Sequence, residues 1–88
     1  MLKLEITHQV KKFIDTLPPK QFRQVVNKAL SLMADPEPSD SVKMKGYPFR
    51  RADIGEYRIV YRLENDSLKV ACIDKRNDDR IYKLINRK

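Results

Sequence analysis

The spacing of apolar positions changes once along the chain, from helical to alternating, and the predicted elements follow that change. Residues 2–6 (LKLEI) alternate and predict a short opening strand. Thr7 is placed to cap a helix from about His8 to Thr16, in which Val10, Phe13, Ile14 and Leu17 form one apolar stripe. Pro18 and Pro19 stop that helix, and Pro19 also suits the first turn of the next. The second helix runs from about Pro19 to Ala34, with Phe22, Val25, Val26, Ala29, Leu30 and Met33 recurring at three- and four-residue intervals. Asp35, Pro36 and Pro38 end it in a polar loop.

Beyond residue 40 the period is two. Phe49–Ile54, Tyr57–Glu64 and Ser67–Asp74 predict three consecutive antiparallel strands, joined by tight turns at Gly55-Glu56 and Asn65-Asp66. A polar segment, Lys75–Asp79, and a short tail from Arg80 to Lys88 close the chain. The order β-α-α-β-β-β predicts an α+β fold, its N-terminal strand and helical hairpin packed on one face of a small antiparallel sheet. In the strand from Tyr57, the residues Tyr57, Ile59 and Tyr61 share one side and Arg58, Val60 and Arg62 the other. The first set should meet the helices, leaving Arg58 and Arg62 on an open face. Arg51 and Asp53 share a side of the preceding strand, but the Gly55 turn leaves their register with Arg58 undetermined.

Eighty-eight residues amount to one domain, 1–88, near the lower limit for an unaided core. With 41% hydrophobic and 35% charged residues, the composition is that of a globular chain, neither membrane-like nor disordered. No apolar run approaches the roughly 18 residues of a membrane span, and the first residues lack a signal-peptide core, so a cytoplasmic protein is expected. Cys72 is the single cysteine; its neighbours Val70, Ala71 and Ile73 predict a buried thiol. The net charge of +7 points to a polyanionic partner. Lys43, Lys45, Arg50, Arg51, Arg58 and Arg62 fall within twenty residues that hold only two acids, Asp53 and Glu56. Guanidinium forks on one sheet face suit a phosphodiester backbone.

Three motifs carry a resemblance. They are K-x-K-G at residues 43–46, R-x-D-x-G-E-Y-R-I-V-Y from Arg51 to Tyr61, and K-R-N-D-x-x-I-Y from Lys75 to Tyr82. Together they resemble the C-terminal half of RelE/ParE-superfamily toxins of bacterial type II toxin–antitoxin systems, and the helical hairpin fits the same fold. The resemblance implies a toxin neutralised by a cognate antitoxin protein. One branch of the superfamily is a ribosome-dependent endoribonuclease, an mRNA interferase; the other inhibits DNA gyrase.

The ribonuclease motif carries over at three positions. Arg58 and Arg76 match arginines at the scissile phosphate, and Tyr82 matches a tyrosine that stacks on a base and helps orient or activate the nucleophile. A phenol is a poor base at neutral pH unless cations adjoin it, as Arg58 and Arg76 would. Alternatively, Arg58 pairs with Asp53 or Glu56 and Tyr82 packs on the sheet edge. The pattern departs where two lysines are expected, because this chain has Arg51 and Asp53. Arginine stabilises charge and does not readily pass a proton. Asp53 offers either a general base or an ion pair with Arg51, and the ion pair is the simpler reading.

Lys43, Lys45, Arg50, Arg62, Lys75 and Lys83 complete the set of cations assigned to RNA and ribosomal RNA contacts. No spacing of His, Cys, Asp or Glu suggests a metal site, and no cofactor is expected. His8, at a helix start, suits a surface or capping role. The retained Arg76 and Tyr82 favour the ribonuclease branch, acting on messenger RNA on the ribosome. A gyrase inhibitor and a catalytically degenerate antitoxin-binding module are the alternatives. A hairpin left bare without antitoxin also leaves a homodimer open.

Overall fold

The computed structural model describes residues 3–76 and 78–86. Leu2 of the expected opening strand, Asn77 of the last motif, and the terminal Arg87 and Lys88 lie outside the described residues. The elements run β1 (Lys3–Ile6), α1 (His8–Asp15), α2 (Pro19–Ala34), β2 (Ser41–Lys43), β3 (Arg50–Ile54), β4 (Tyr57–Glu64), β5 (Ser67–Lys75) and α3 (Asp78–Asn86). One five-stranded sheet has the order β1-β5-β4-β3-β2. The predicted α+β arrangement stands, with three additions. β1 pairs with β5 in parallel, from Lys3 opposite Ser67 to Ile6 opposite Val70. The short strand β2 extends the other edge by pairing antiparallel to β3. The segment expected to be a tail is a helix, because Ile81, Leu84 and Ile85 recur at helical spacing and pack against the sheet.

Local chemistry explains the hairpin. The Thr7 hydroxyl accepts from the Val10 amide at 3.3 Å, capping α1 as expected, and donates to the Ala71 carbonyl at 2.9 Å. Two residues later the Gln9 side chain takes the place of a neighbouring strand. Its amide nitrogen donates to the Ile73 carbonyl at 3.0 Å, and its oxygen accepts from the Ile73 amide at 3.2 Å. The chain therefore leaves the sheet after Ile6 without orphaning the backbone of β5. Pro19 opens α2 at its first turn, and the inward stripe is Val25, Ala29 and Leu32. Phe22 and Leu30, both expected inside, are 37% and 49% exposed, whereas Leu32, which the periodicity did not single out, is fully buried.

The sheet has a core on each face. α1 and α2 cover Ala52, Tyr57, Ile59, Tyr61, Leu68, Val70 and Ile73. The opposite face is not left open: Met44 and Ile81 close over Val60 and Cys72, with Tyr47, Phe49, Tyr82, Leu84 and Ile85 packed around them. This second core depends on a β-bulge. Val60 lies opposite Cys72 but Tyr61 lies opposite Val70, so Ala71 is an extra residue in β5. Leu68 and Val70 face the hairpin before the bulge and Ile73 does so after it, which turns Cys72 and Asp74 to the second face.

Burial pushes the Cys72 thiol up from an ordinary 9.0 to about 12, with the Asp74 carboxylate adding to the effect. The folded state therefore favours the protonated thiol. Its contribution to stability is whole below pH 9 and is lost as pH rises toward 12. Cys72 should accordingly resist alkylation at neutral pH until denaturant unfolds the chain. Labelling at the native rate of a free surface thiol would refute this.

Candidate functional site

The second face brings together residues from three elements at one end of the sheet. β3 and β4 pair with Asp53 opposite Arg58, and β4 and β5 with Arg58 opposite Asp74. An acid–base–acid row therefore crosses three adjacent strands. The turn at Gly55, whose φ of +58° suits glycine, sets the β3–β4 register that the sequence left undetermined. β5 extends to Lys75, and the Arg76 amide then donates to the Glu56 carbonyl at 3.0 Å. That bond fixes the chain after β5 beside the β3–β4 turn.

Asp53 is the centre of the cluster. Arg58 Nε lies 2.9 Å from its Oδ1 and Arg76 Nε 3.3 Å from its Oδ2. One carboxylate oxygen thus serves each arginine. The two cations differ in setting: the Arg58 side chain is 10% exposed and that of Arg76 52%. An open depression beside them is lined by Gly55, Glu56, Arg58, Lys75 and Arg76. A bound oxyanion there would meet two guanidinium groups held in place before it arrives. Asp53 is an ion-pair residue, as the sequence suggested; Arg58, one of the partners considered for it, and Arg76, which was not, both lie on its carboxylate. Arg58 is buried within the sheet and does not stand out from an open face.

The other expected residues separate into groups. Arg51 shares the second face with Asp53, in register with Val60. Arg62 also lies on that face, with its guanidinium 5.9 Å from the centre of the Phe49 ring and 2.5 Å from Glu64. Hydrogen bonding from Lys69, reinforced by Arg62, holds the Glu64 carboxyl below its ordinary 4.5. Arg50 is not part of the cluster. Strand alternation puts it on the hairpin face with Ala52 and Ile54, where its Nη2 donates to Ser41 Oγ at 2.8 Å. Lys43 is exposed on the edge strand β2, and Lys45 is exposed in the turn before Gly46. Lys75 lines the depression, and Lys83 is exposed in the last turn of α3.

Tyr82 is half-buried on α3, its ring centre 5.3 Å from that of Tyr47. It packs with the second core and does not line the depression of Arg58 and Arg76. Two participants were missed by sequence reasoning. Tyr47 had a signal, an aromatic after a glycine in the basic loop. Asp74 had none, because only the bulge turns it to this face. His8 is the exposed first residue of α1, whose cap is Thr7. Among the described residues, no group of three or more His, Cys, Asp or Glu could hold a metal ion. No described helix is long and apolar enough to cross a membrane.

Comparisons with known proteins bear on the family and the fold. The family model described as the ParE toxin of the type II toxin–antitoxin system parDE matches residues 4–80. The archaeal RelE of a RelE–RelB complex from Pyrococcus horikoshii OT3 superposes with a TM-score of 0.76 at 25% identity, covering 86% of this chain and 96% of that one. A chain of the intact E. coli RelBE toxin–antitoxin complex gives 0.75 at 18% identity, over 88% of this chain and 99% of its own. A chain of the YoeB–YefM complex from Staphylococcus aureus gives 0.70 at 17%, over 88% and 99%. No curated protein matches the sequence.

Proposed function

Because the chain belongs to the ParE toxin family of type II toxin–antitoxin systems, we propose that it kills or arrests cells as a metal-independent, ribosome-dependent endoribonuclease that cleaves messenger RNA. The observation that carries this reading is the convergence of Arg58 and Arg76 on one carboxylate. Two guanidinium groups within reach of a single oxyanion suit a phosphodiester. They suit its transition state better, because attack by the 2′-hydroxyl adds negative charge at phosphorus. In this reading Arg58 and Arg76 bind the non-bridging oxygens and stabilise that charge. Arg51 adds positive potential from the same face. Tyr82, braced by Tyr47, offers a ring on which a base can stack.

Asp53, with a cation on each oxygen, fits an ion-pair role better than that of a proton acceptor. Few acid–base groups then remain, so positioning of the RNA by the ribosome supplies much of the rate. Exposed Lys43, Lys45, Lys75 and Lys83 supply the sequence-independent attraction to RNA backbone. The proposed partners are a cognate antitoxin, as in the RelE–RelB and YoeB–YefM complexes, and the translating ribosome in the cytoplasm.

The second reading is the other branch of the superfamily that the sequence motifs resemble, inhibition of DNA gyrase; the matching family model carries the ParE name. Induced expression separates the two. Mapping RNA 5′ ends should reveal discrete cuts in ribosome-bound messages while plasmid supercoiling is maintained. Loss of supercoiling and DNA breaks, with translation initially intact, would replace the ribonuclease reading by the gyrase one.

A further inference from the structure

The geometry points to a phosphodiester site that is filled, in the free protein, by the protein's own Asp53 carboxylate. RNA must displace that carboxylate to bind. This inference rests on the reading of Arg58 and Arg76 as the phosphate-binding pair.

A phosphodiester presents two non-bridging oxygens on one phosphorus. Asp53 presents two oxygens on one carbon, and they are used in the same way: Oδ1 to Arg58 at 2.9 Å and Oδ2 to Arg76 at 3.3 Å. Were Asp53 only a support for Arg58, in register across the strand pair, one oxygen would suffice. Its second oxygen instead reaches Arg76, a half-exposed cation beyond the end of β5 and at the mouth of the depression. The backbone bond from Arg76 to Glu56 already fixes the chain there, so anchoring Arg76 does not require Asp53. With its side chain 35% exposed, Asp53 can turn toward water when a phosphate enters the site.

An intramolecular carboxylate competes at high effective concentration, which a dilute RNA in solution does not match. A phosphate delivered by the ribosome does match it. The contact therefore adds a binding cause for dependence on the ribosome to the catalytic one given above. If it leaves the site open about one-tenth of the time, apparent affinity for a free phosphodiester falls about tenfold.

The test uses a fluorescent five-nucleotide RNA whose 2′-O-methyl groups prevent cleavage, titrated against the full chain by anisotropy at fixed salt. Asp53→Asn should bind it about tenfold more tightly than wild type. Arg76→Ala added to Asp53→Asn should remove the gain. Asp15→Asn makes the same charge change on the exposed surface of α1 and should shift affinity less than twofold. Equal or weaker binding by folded Asp53→Asn, or an equal gain from Asp15→Asn, would overturn the inference.

A measurement on wild type keeps the question open to test if Asp53→Asn does not fold. Arginine Nε resonances of Arg58 and Arg76 should both shift as RNA saturates the protein, and the inference fails if neither moves. The two readings fail separately. If Arg76→Ala leaves ribosomal cuts intact, the ribonuclease site itself is wrong. If it abolishes them while Asp53→Asn gains no affinity, only the displaced-carboxylate inference is lost.

Discussion

Replacing Arg58 by alanine is expected to abolish message cleavage while leaving a folded protein. A preorganised donor aimed at developing negative charge typically supplies about 100- to 1,000-fold in rate, so the cut fraction should fall by that much. Arg58 is also a buried ion-pair residue, and removing one member of such a pair is destabilising when it strands the other charge. Here Asp53 keeps Arg76 at 3.3 Å and is partly exposed, and Asp74, buried opposite Arg58, still accepts from the Lys75 amide at 2.7 Å, so neither carboxylate is left wholly without a partner. The stability cost should therefore stay below the roughly 3–5 kcal/mol of a fully buried pair. Arg58→Lys keeps the charge but loses the planar fork, and should remain at least about tenfold impaired. Primer-extension mapping of cuts, together with thermal unfolding of each purified variant, reads both quantities. Undiminished cutting by Arg58→Ala would remove Arg58 from the site.

Tyr61→Ala should have the largest effect on stability. Tyr61 is completely buried in the hairpin-side core, and its hydroxyl donates to the Pro36 carbonyl at 2.6 Å. It thus ties the centre of β4 to the loop that follows α2. Truncating a buried aromatic costs about 3–5 kcal/mol. A chain of this length has roughly 4–13 kcal/mol in total, so the variant should be largely unfolded or close to it. Tyr61→Phe isolates the hydroxyl. It leaves the Pro36 carbonyl without its donor and should cost about 1–2 kcal/mol. Urea unfolding of both variants separates the two contributions. A Tyr61→Ala variant within 1 kcal/mol of wild type by the same measurement would contradict this account of the core.

The sequence showed local structure more faithfully than orientation. The limits of α2 and β4 and the Thr7 cap were all readable, because prolines, cap chemistry and alternation act within a few residues. The parallel pairing of β1 with β5 was not, since it joins segments more than sixty residues apart. The inward face of α2 was read in part: Val25 and Ala29 are buried and Met33 packs against the core, but Phe22 and Leu30 are exposed and Leu32 is buried instead, because packing chose among equally regular spacings. The C-terminal helix was overlooked although Ile81, Leu84 and Ile85 already had its period.

The site shows the same division. Adjacency grouped Arg50 with Arg51, but alternation places them on opposite faces. Pairing of Arg58 with Asp53 was one of two readings until the turn at Gly55 settled the register. The approach of Arg76 to the same carboxylate depends on how far β5 continues, and no short-range pattern states that. Tyr82 was singled out by its distance from Arg76, but it packs beside Tyr47 in the second core and does not line the depression, a seat that depends on the path of the loop before β3.

The alternation within β4 bears on how such a gene decays. Tyr57, Ile59 and Tyr61 hold the hairpin-side core, while Arg58 lies between them in the charged row. If Arg58 serves the proposed site, a lineage relieved of self-poisoning by a change there can keep its hairpin-side core, and with it the fold that an antitoxin would meet. Survivors of a toxicity screen would then divide into two genotypes. Substitutions at 57, 59 or 61 should remove the protein from the cell, and those at 58 should leave it abundant but harmless. Harmless alleles of the second kind would continue to occupy antitoxin, and so lower the protection available against an intact toxin in the same cell.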